Sequence, residues 1–236
     1  MTETLPPVLG ILGGMGPLAT VDFMHKVIDR TPAARDQDHI PMYVASLPQV
    51  PDRTAAILGQ GESPVPMMLG GIRMLNAAGV ACIAIPCNTA HYWYEDLVRE
   101  AEAPILHIAD AACDQVAARG FASKTVGFLG TTGAVESGIY QGRLTARGFD
   151  CLVSTPDDQE NLVMGGIYRI KSGEMTEARK LLESAAERLR RRGAGAIIMG
   201  CTEIPIVLNE GGDIVDATAA LASACVERLA GERKAV

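Results

Sequence analysis

Gly10-Ile11-Leu12-Gly13-Gly14-Met15-Gly16 returns later in the chain as Gly127-Phe128-Leu129-Gly130-Thr131-Thr132-Gly133. In each copy a short apolar run ends in closely spaced glycines. That is the pattern of a buried strand with a sharp turn at its carboxyl end. Two further blocks repeat in the same order. Ile85-Pro86-Cys87-Asn88-Thr89-Ala90 corresponds to Met199-Gly200-Cys201-Thr202-Glu203-Ile204, and Ile108-Ala109-Asp110-Ala111 to Val215-Asp216-Ala217. The spacing shrinks slowly while the order is kept, which chance matches would not do. The chain is therefore read as an internal duplication, with halves of roughly 115 residues, each the size of a small domain. A period that long excludes a solenoid.

Working outward from these blocks, short apolar strands are expected at 8–12, 42–45, 81–85 and 105–108, and again at 125–129, 151–154, 196–199 and 213–215. Helical periodicity lies between them. It is clearest over 176–192, where Ala178, Leu181, Leu182, Ala185 and Leu189 share one face and Gly193 follows the end. Asp110 and Asp216 stand where N-caps belong, and Gly120 and Gly231 stand where the following helices should end. Alternating strands and helices imply an α/β fold with one four-stranded parallel sheet per half. Ligands in such sheets bind beyond the carboxyl ends of the strands. Cys87, Cys201 and both glycine-rich turns occupy those ends, so facing halves bring them to one cleft.

Composition narrows the class. The 236 residues carry a net charge of −7 at pH 7, which leaves no electrostatic footprint for nucleic acid. No apolar run approaches the ~20 residues that span a bilayer, so no membrane partner is expected. Met1-Thr2-Glu3-Thr4 lacks the basic start of a signal peptide. Six cysteines without a Cys-x-x-Cys pair favour reduced thiols over disulfides or a metal site, and with them a cytoplasmic location. Cys82, Cys113, Cys151 and Cys225 lie in apolar strands or helix faces and read as packing residues.

Cys87 and Cys201 read differently, because each ends an apolar run and is followed by polar residues at matched positions. A thiol acts as a base only when ionised, and a position before a helix N-terminus lowers its pKa. Two such thiols facing one carbon suit proton removal on one side and proton delivery on the other. That chemistry inverts a stereocentre.

Gly13-Gly14-Met15-Gly16-Pro17, Cys87-Asn88-Thr89-Ala90-His91 and Gly200-Cys201-Thr202-Glu203 together resemble the aspartate/glutamate racemase family, in its aspartate racemase branch. The resemblance covers nearly the whole chain. It implies racemisation of an acidic amino acid without a cofactor, by a thiolate/thiol pair between two pseudo-symmetric α/β lobes. It also implies a homodimer and a C-terminal helix that folds back on the first lobe. Lobe one is then 1–108 plus 217–236, and lobe two is 109–216. Glutamate racemases carry Asp-Ser where this chain has Gly14-Met15, and Thr-His where it has Thr202-Glu203. The departure favours aspartate or a broader acidic range.

The resemblance also distributes roles. Arg53, in the Pro-bounded loop Pro48-Gln49-Val50-Pro51-Asp52-Arg53, and Lys171, in the matching stretch of the second half, are expected to bind the side-chain carboxylate. An arginine can do so with two parallel hydrogen bonds. Asn88, Thr89 and Thr202 are expected at the α-carboxylate, with Thr131 and Thr132 offering hydroxyls. Met15 joins the substrate-binding set. Glu203 is expected as a proton relay or ammonium partner. Read from its spacing alone, His91, one helical turn past Cys87, either orients it or is a packed helix residue. His25, His39 and His107 read as structural.

Rival readings come from other classes. Gly14-Met15-Gly16-Pro17-Leu18-Ala19 formally fits a dinucleotide fingerprint, and hence an NAD-dependent oxidoreductase. Ala45-Ser46-Leu47 closes the second strand without the acidic residue a ribose needs. A two-lobed amino-acid-binding protein has no need of paired thiols. A related two-thiol isomerase, or a decarboxylase of a small dicarboxylic acid, is the nearer alternative. One-thiol relatives decarboxylate or isomerise related acids, and the presence of both cysteines speaks against those while leaving a two-thiol isomerase open.

Overall fold

Leu9–Gly13 (β1) and Thr125–Gly130 (β5) are the inner strands that carry the two glycine-rich turns. The computed structural model describes residues 6–233. The expectations about Met1-Thr2-Glu3-Thr4, and the outermost ends of lobe one at 1–5 and 234–236, lie outside the described residues. In the first half β1 is flanked by Met42–Ser46 (β2), Cys82–Ala84 (β3) and Ile105–Leu106 (β4), in the order β2-β1-β3-β4. In the second half Asp150–Val153 (β6), Ala196–Gly200 (β7) and Ile214–Asp216 (β8) give the order β6-β5-β7-β8. Every pairing within both sheets is parallel. The identical order is what a duplication requires. All eight expected strands are present, with small shifts at their ends.

The connecting helices are Pro17–Arg30 (α1), Arg53–Ile57 (α2), Val65–Ala77 (α3), Tyr94–Glu100 (α4) and Ile108–Arg119 (α5). In the second half they are Thr132–Glu136 (α6), Ile139–Ala146 (α7), Pro156–Asp158 (α8), Gly165–Ser172 (α9) and Met175–Arg191 (α10). A π-helical turn, Gln159–Met164, joins α8 to α9. Ala217–Arg233 (α11) closes the described chain. Every residue of β1 and β7 is buried, as expected of parallel strands covered on both faces. The apolar stripe of α10 buries Ala178, Leu182, Ala185 and Leu189 against the second sheet, as its 3.6-residue period requires.

Three expectations about helix ends are corrected. Ile108 opens α5 rather than extending β4. The cap of α5 is His107, whose Nδ1 accepts from Ala109 N at 3.2 Å, so Asp110 sits inside the first turn instead. An unprotonated imidazole nitrogen can serve where a carboxylate was anticipated. Helix α11 runs past Gly231 to Arg233, because a glycine in a helix is a cost and not a stop. Gly120 does end α5, with φ of 63°. Asp216 does cap α11, accepting from Thr218 N at 2.8 Å and Ala219 N at 3.2 Å. Its other oxygen lies 2.8 Å from Lys26 Nζ of α1, which ties the last helix to the first.

The topology also places the site. The chain leaves β1 toward β2 on one side, and β3 lies on the other. The crevice at the carboxyl ends of β1 and β3 is therefore a topological switch point. Gly14 follows β1 there and Cys87 follows β3. The equivalent crevice in the second half holds Thr131 after β5 and Cys201 after β7. At Gly14 the backbone has φ of 90°, and an added Cβ would lie 2.3 Å from Leu47 N. Only glycine lets this turn pass so close to the exit of β2.

Candidate active site

The two crevices meet. A small cavity of about 30 Å³ is lined from the first half by Met15, Asp52, Arg53, Thr54, Cys87, Asn88 and Thr89. The second half contributes Thr131, Lys171, Cys201, Thr202 and Glu203. Both thiols are almost wholly buried. The halves touch directly at the floor, where Thr89 Oγ1 and Thr131 Oγ1 share a hydrogen bond of 2.8 Å. Thr131 also caps α6, accepting from Ala134 N at 3.1 Å, which holds its hydroxyl toward the cavity. A Cβ on Gly133 would lie 2.9 Å from Thr54 Cα, so the two halves approach at backbone distance here.

Cys87 is held through its main chain. His91 Nδ1 donates to the Cys87 carbonyl at 2.9 Å, and His91 Nε2 accepts from Ile108 N at 3.3 Å. The ring joins the thiol turn to the start of α5. That arrangement needs a neutral imidazole, and burial pushes the His91 pKa down to about 4. Next in the chain, Asn88 Oδ1 accepts from the hydroxyl of Tyr140. The amide is thereby oriented, and Asn88 Nδ2 is left buried without a partner. A buried donor in that state favours an incoming acceptor such as a carboxylate.

Cys201 meets a different partner. Its Sγ–H donates to Glu203 Oε2 at 2.9 Å. Burial, and then the neighbouring Glu203 charge and hydrogen bond, push the Cys201 thiol well above its ordinary pKa. This corrects the expectation of a helix dipole that lowers it. The elements after the cysteines are short turns, Thr89–Trp93 and Ile204–Ile206, too brief to build a useful dipole. No comparable side chain bonds the Cys87 sulfur among the described residues.

Arg53 and Lys171 line this cavity and also a wider one of about 430 Å³ outside it. The guanidinium of Arg53 is braced by main-chain carbonyls: Nη1 donates to Val50 O at 3.1 Å and Pro51 O at 3.0 Å, and Nη2 to Met15 O at 3.3 Å. Its Nε is buried without a partner. Lys171 Nζ lies 3.9 Å from Glu203 Oε1, beyond hydrogen-bonding distance but within ion-pair range. The outer cavity is walled by Pro17, Leu18, Val50, Ile170 and Ile206 among others. The inner cavity has room for little more than a water, so an amino acid filling it must extend into the outer one.

Of the expected residues, Met15, Arg53, Cys87, Asn88, Thr89, Thr131, Lys171, Cys201, Thr202 and Glu203 line the inner cavity together. Thr132 does not. Its N–H donates to Met164 Sδ at 3.4 Å and its hydroxyl accepts from Gln159 Nε2 at 3.4 Å, so it braces the turn from behind. Asp52, Thr54 and Tyr140 were missed by the sequence reading. Asp52 is the N-cap of α2, accepting from Ala55 N at 2.8 Å, a signal that the chain does carry. Tyr140 reaches Asn88 across 52 positions, and no local pattern announces it. Among the described residues no cluster of three or more His, Cys, Asp or Glu could hold a metal. No helix there is long and apolar enough to cross a membrane.

Comparison with known proteins shows what the chain resembles. Residues 12–225 match the family model described as Asp/Glu/hydantoin racemase. A broad specificity amino-acid racemase, RacX, of Bacillus subtilis is 31% identical over 93% of this chain and 96% of its own. A glutamate racemase of Aquifex pyrophilus is 29% identical over 58% of this chain and 51% of its own. The solved structure of Picrophilus torridus aspartate racemase superposes with a TM-score of 0.85 at 32% identity, covering 95% of this chain and 94% of that one.

Proposed function

We propose that this chain, which belongs to the Asp/Glu/hydantoin racemase family, interconverts the L- and D-forms of an acidic amino acid, aspartate first, by proton transfer between Cys87 and Cys201. The observation that carries the reading is the convergence of both thiols on one small cavity whose lining includes two cations, Arg53 and Lys171. The thiolate of one cysteine removes the α-proton. The thiol of the other delivers its proton to the opposite face, and the pair finishes with its charges exchanged. Neither step calls for pyridoxal phosphate or a metal. Asn88 Nδ2 and the Thr89, Thr131 and Thr202 hydroxyls receive the α-carboxylate. Arg53, pre-set by three carbonyls, and Lys171 receive the side-chain carboxylate. The lobes are taken as 1–108 plus 217–236 and 109–216, which leaves one thiol in each.

The reading includes a cytoplasmic homodimer. Its compartment is supported by six unbridged cysteines, and its assembly rests on the family resemblance. The outer cavity favours a second reading of substrate range. Its apolar walls of Pro17, Leu18, Ile170 and Ile206 suit side chains longer than that of aspartate. The purified protein, incubated with each enantiomer of aspartate in deuterated water, should yield a racemic mixture labelled at the α-carbon. Ranking kcat/KM for aspartate, glutamate and longer neutral amino acids separates the narrow range from the broad one. Exchange with none of them would defeat the racemase reading, and loss of a carboxylate instead would favour the decarboxylase.

A further inference from the structure

An α-amino dicarboxylate brings three charges into the site, and the cavity answers two of them with Asn88 and the threonines, and with Arg53 and Lys171. The ammonium needs an acceptor. Two carboxylates line the inner cavity, Asp52 and Glu203. Asp52 is exposed, and its Oδ1 is committed to the cap of α2. Glu203 is only 6% exposed. Its Oε2 takes the Cys201 proton, while its Oε1 is buried with no hydrogen-bond partner. A buried acceptor left unmatched is unfavourable, so this oxygen is set to receive a donor. Lys171 stands too far off to supply it. A Cβ on Gly16 would come within 3.3 Å of Oε1, which shows that the glycine-rich turn keeps bulk away from that oxygen.

Resting on the racemase reading above, we infer that Glu203 Oε1 is the seat of the substrate's α-ammonium and that occupation of this seat lets Cys201 give up its proton. When Cys201 protonates the α-carbon, the thiolate left behind faces a carboxylate 2.9 Å away. Two anions in a buried pair repel strongly. An ammonium on the far oxygen offsets that repulsion at the moment it arises. Lys171 from α9 and Arg53 from α2 are the other cations on the lining, and the side-chain carboxylate occupies them. Substrate recognition and the acid–base state of the second thiol thus share one carboxylate. Among the described residues no carboxylate bonds the Cys87 sulfur in this way.

The inference is tested with the full-length protein and its Glu203→Gln variant. Calorimetric titration with aspartate and with succinate, which keeps both carboxylates and lacks the ammonium, reads the seat. The variant should bind aspartate about tenfold or more weakly and succinate as well as the wild type does. Retained succinate affinity also shows that the variant folds. Alkylation by iodoacetamide, followed on the Cys201 peptide by mass spectrometry with Cys87 as reference, reads the coupling. Removing the charge should speed Cys201 alkylation about tenfold at neutral pH. Parallel losses for both ligands, or no loss for aspartate, overturn the seat. Unchanged Cys201 alkylation overturns the coupling. If wild type racemises aspartate while the variant keeps full affinity, the racemase reading stands without the seat. If wild type binds neither ligand, both fall together.

Discussion

Cys87 and Cys201 occupy equivalent places after β3 and β7, yet the two halves treat them differently. The first is steered through its backbone: His91 grips the Cys87 carbonyl, and no side chain among the described residues hydrogen-bonds its sulfur. The second is steered through its sulfur, which donates to Glu203. Two sheets of the same strand order place the two thiols at matching positions, and different neighbours make them inequivalent. The proposed two-base reaction needs one thiol protonated while the other is ionised. Perfect symmetry would leave that choice open, whereas burial and Glu203 hold the Cys201 thiol above its ordinary pKa. The comparison teaches that a symmetric fold can serve a reaction that is asymmetric at each instant.

The strongest way to break this comparison is to remove each sulfur in turn. Cys87→Ser and Cys201→Ser should each lose racemisation by roughly 10²–10⁴, since both directions need an acid and a base. With a substrate whose α-carbanion expels a β-leaving group, only the base is needed. One variant should then eliminate from the L-form and the other from the D-form, as read by chiral chromatography. Near wild-type racemisation by either variant would defeat the two-base reading.

The cations sharpen it next. Arg53→Ala and Lys171→Ala should each lower kcat/KM for aspartate about 10–150-fold and spare alanine. Equal losses on both substrates would mean that these residues only support the fold.

The His91 clamp predicts an acid-sensitive first half. Its folded pKa of about 4 lies below the ordinary 6.5, so the unfolded chain binds the extra proton between those values. Stability is therefore full above about pH 6.5 and falls as pH drops toward 4. The His91 share of that loss between pH 7 and pH 5 is about 2 kcal/mol. His107, pushed down to about 2 by burial and then by the adjacent His91, adds loss of the same sign. Denaturant titrations of His91→Gln at both pH values should show a flatter dependence than wild type. An unchanged slope would remove His91 as the clamp.

The smallest effect belongs to Tyr140. Tyr140→Phe frees the Asn88 amide to rotate and should raise KM for aspartate about fivefold, with kcat less affected. A fall in kcat alone would place Asn88 away from the α-carboxylate.

Periodicity and repetition were enough to read the eight strands, their grouping into two parallel sheets and the two thiols, because these are encoded locally. Buried parallel strands are continuous apolar runs, and a duplicated turn repeats its glycines. Ten of the eleven expected site residues line one cavity, most of them because they follow strand ends and the carboxyl ends of a parallel sheet converge, while Lys171 reaches it from α9. Thr132 fell outside because adjacent residues of a turn face opposite ways, and sequence cannot say which hydroxyl points inward. Other features belong to the tertiary structure alone. The reach of Tyr140 to Asn88, the threonine contact between halves and the bracing of Arg53 by Met15 all join distant segments. The elevated Cys201 thiol also has its cause in burial, which depends on how the halves close. Local pattern decides which groups stand at the strand ends. Desolvation and contact between the halves decide how those groups meet and raise the Cys201 thiol.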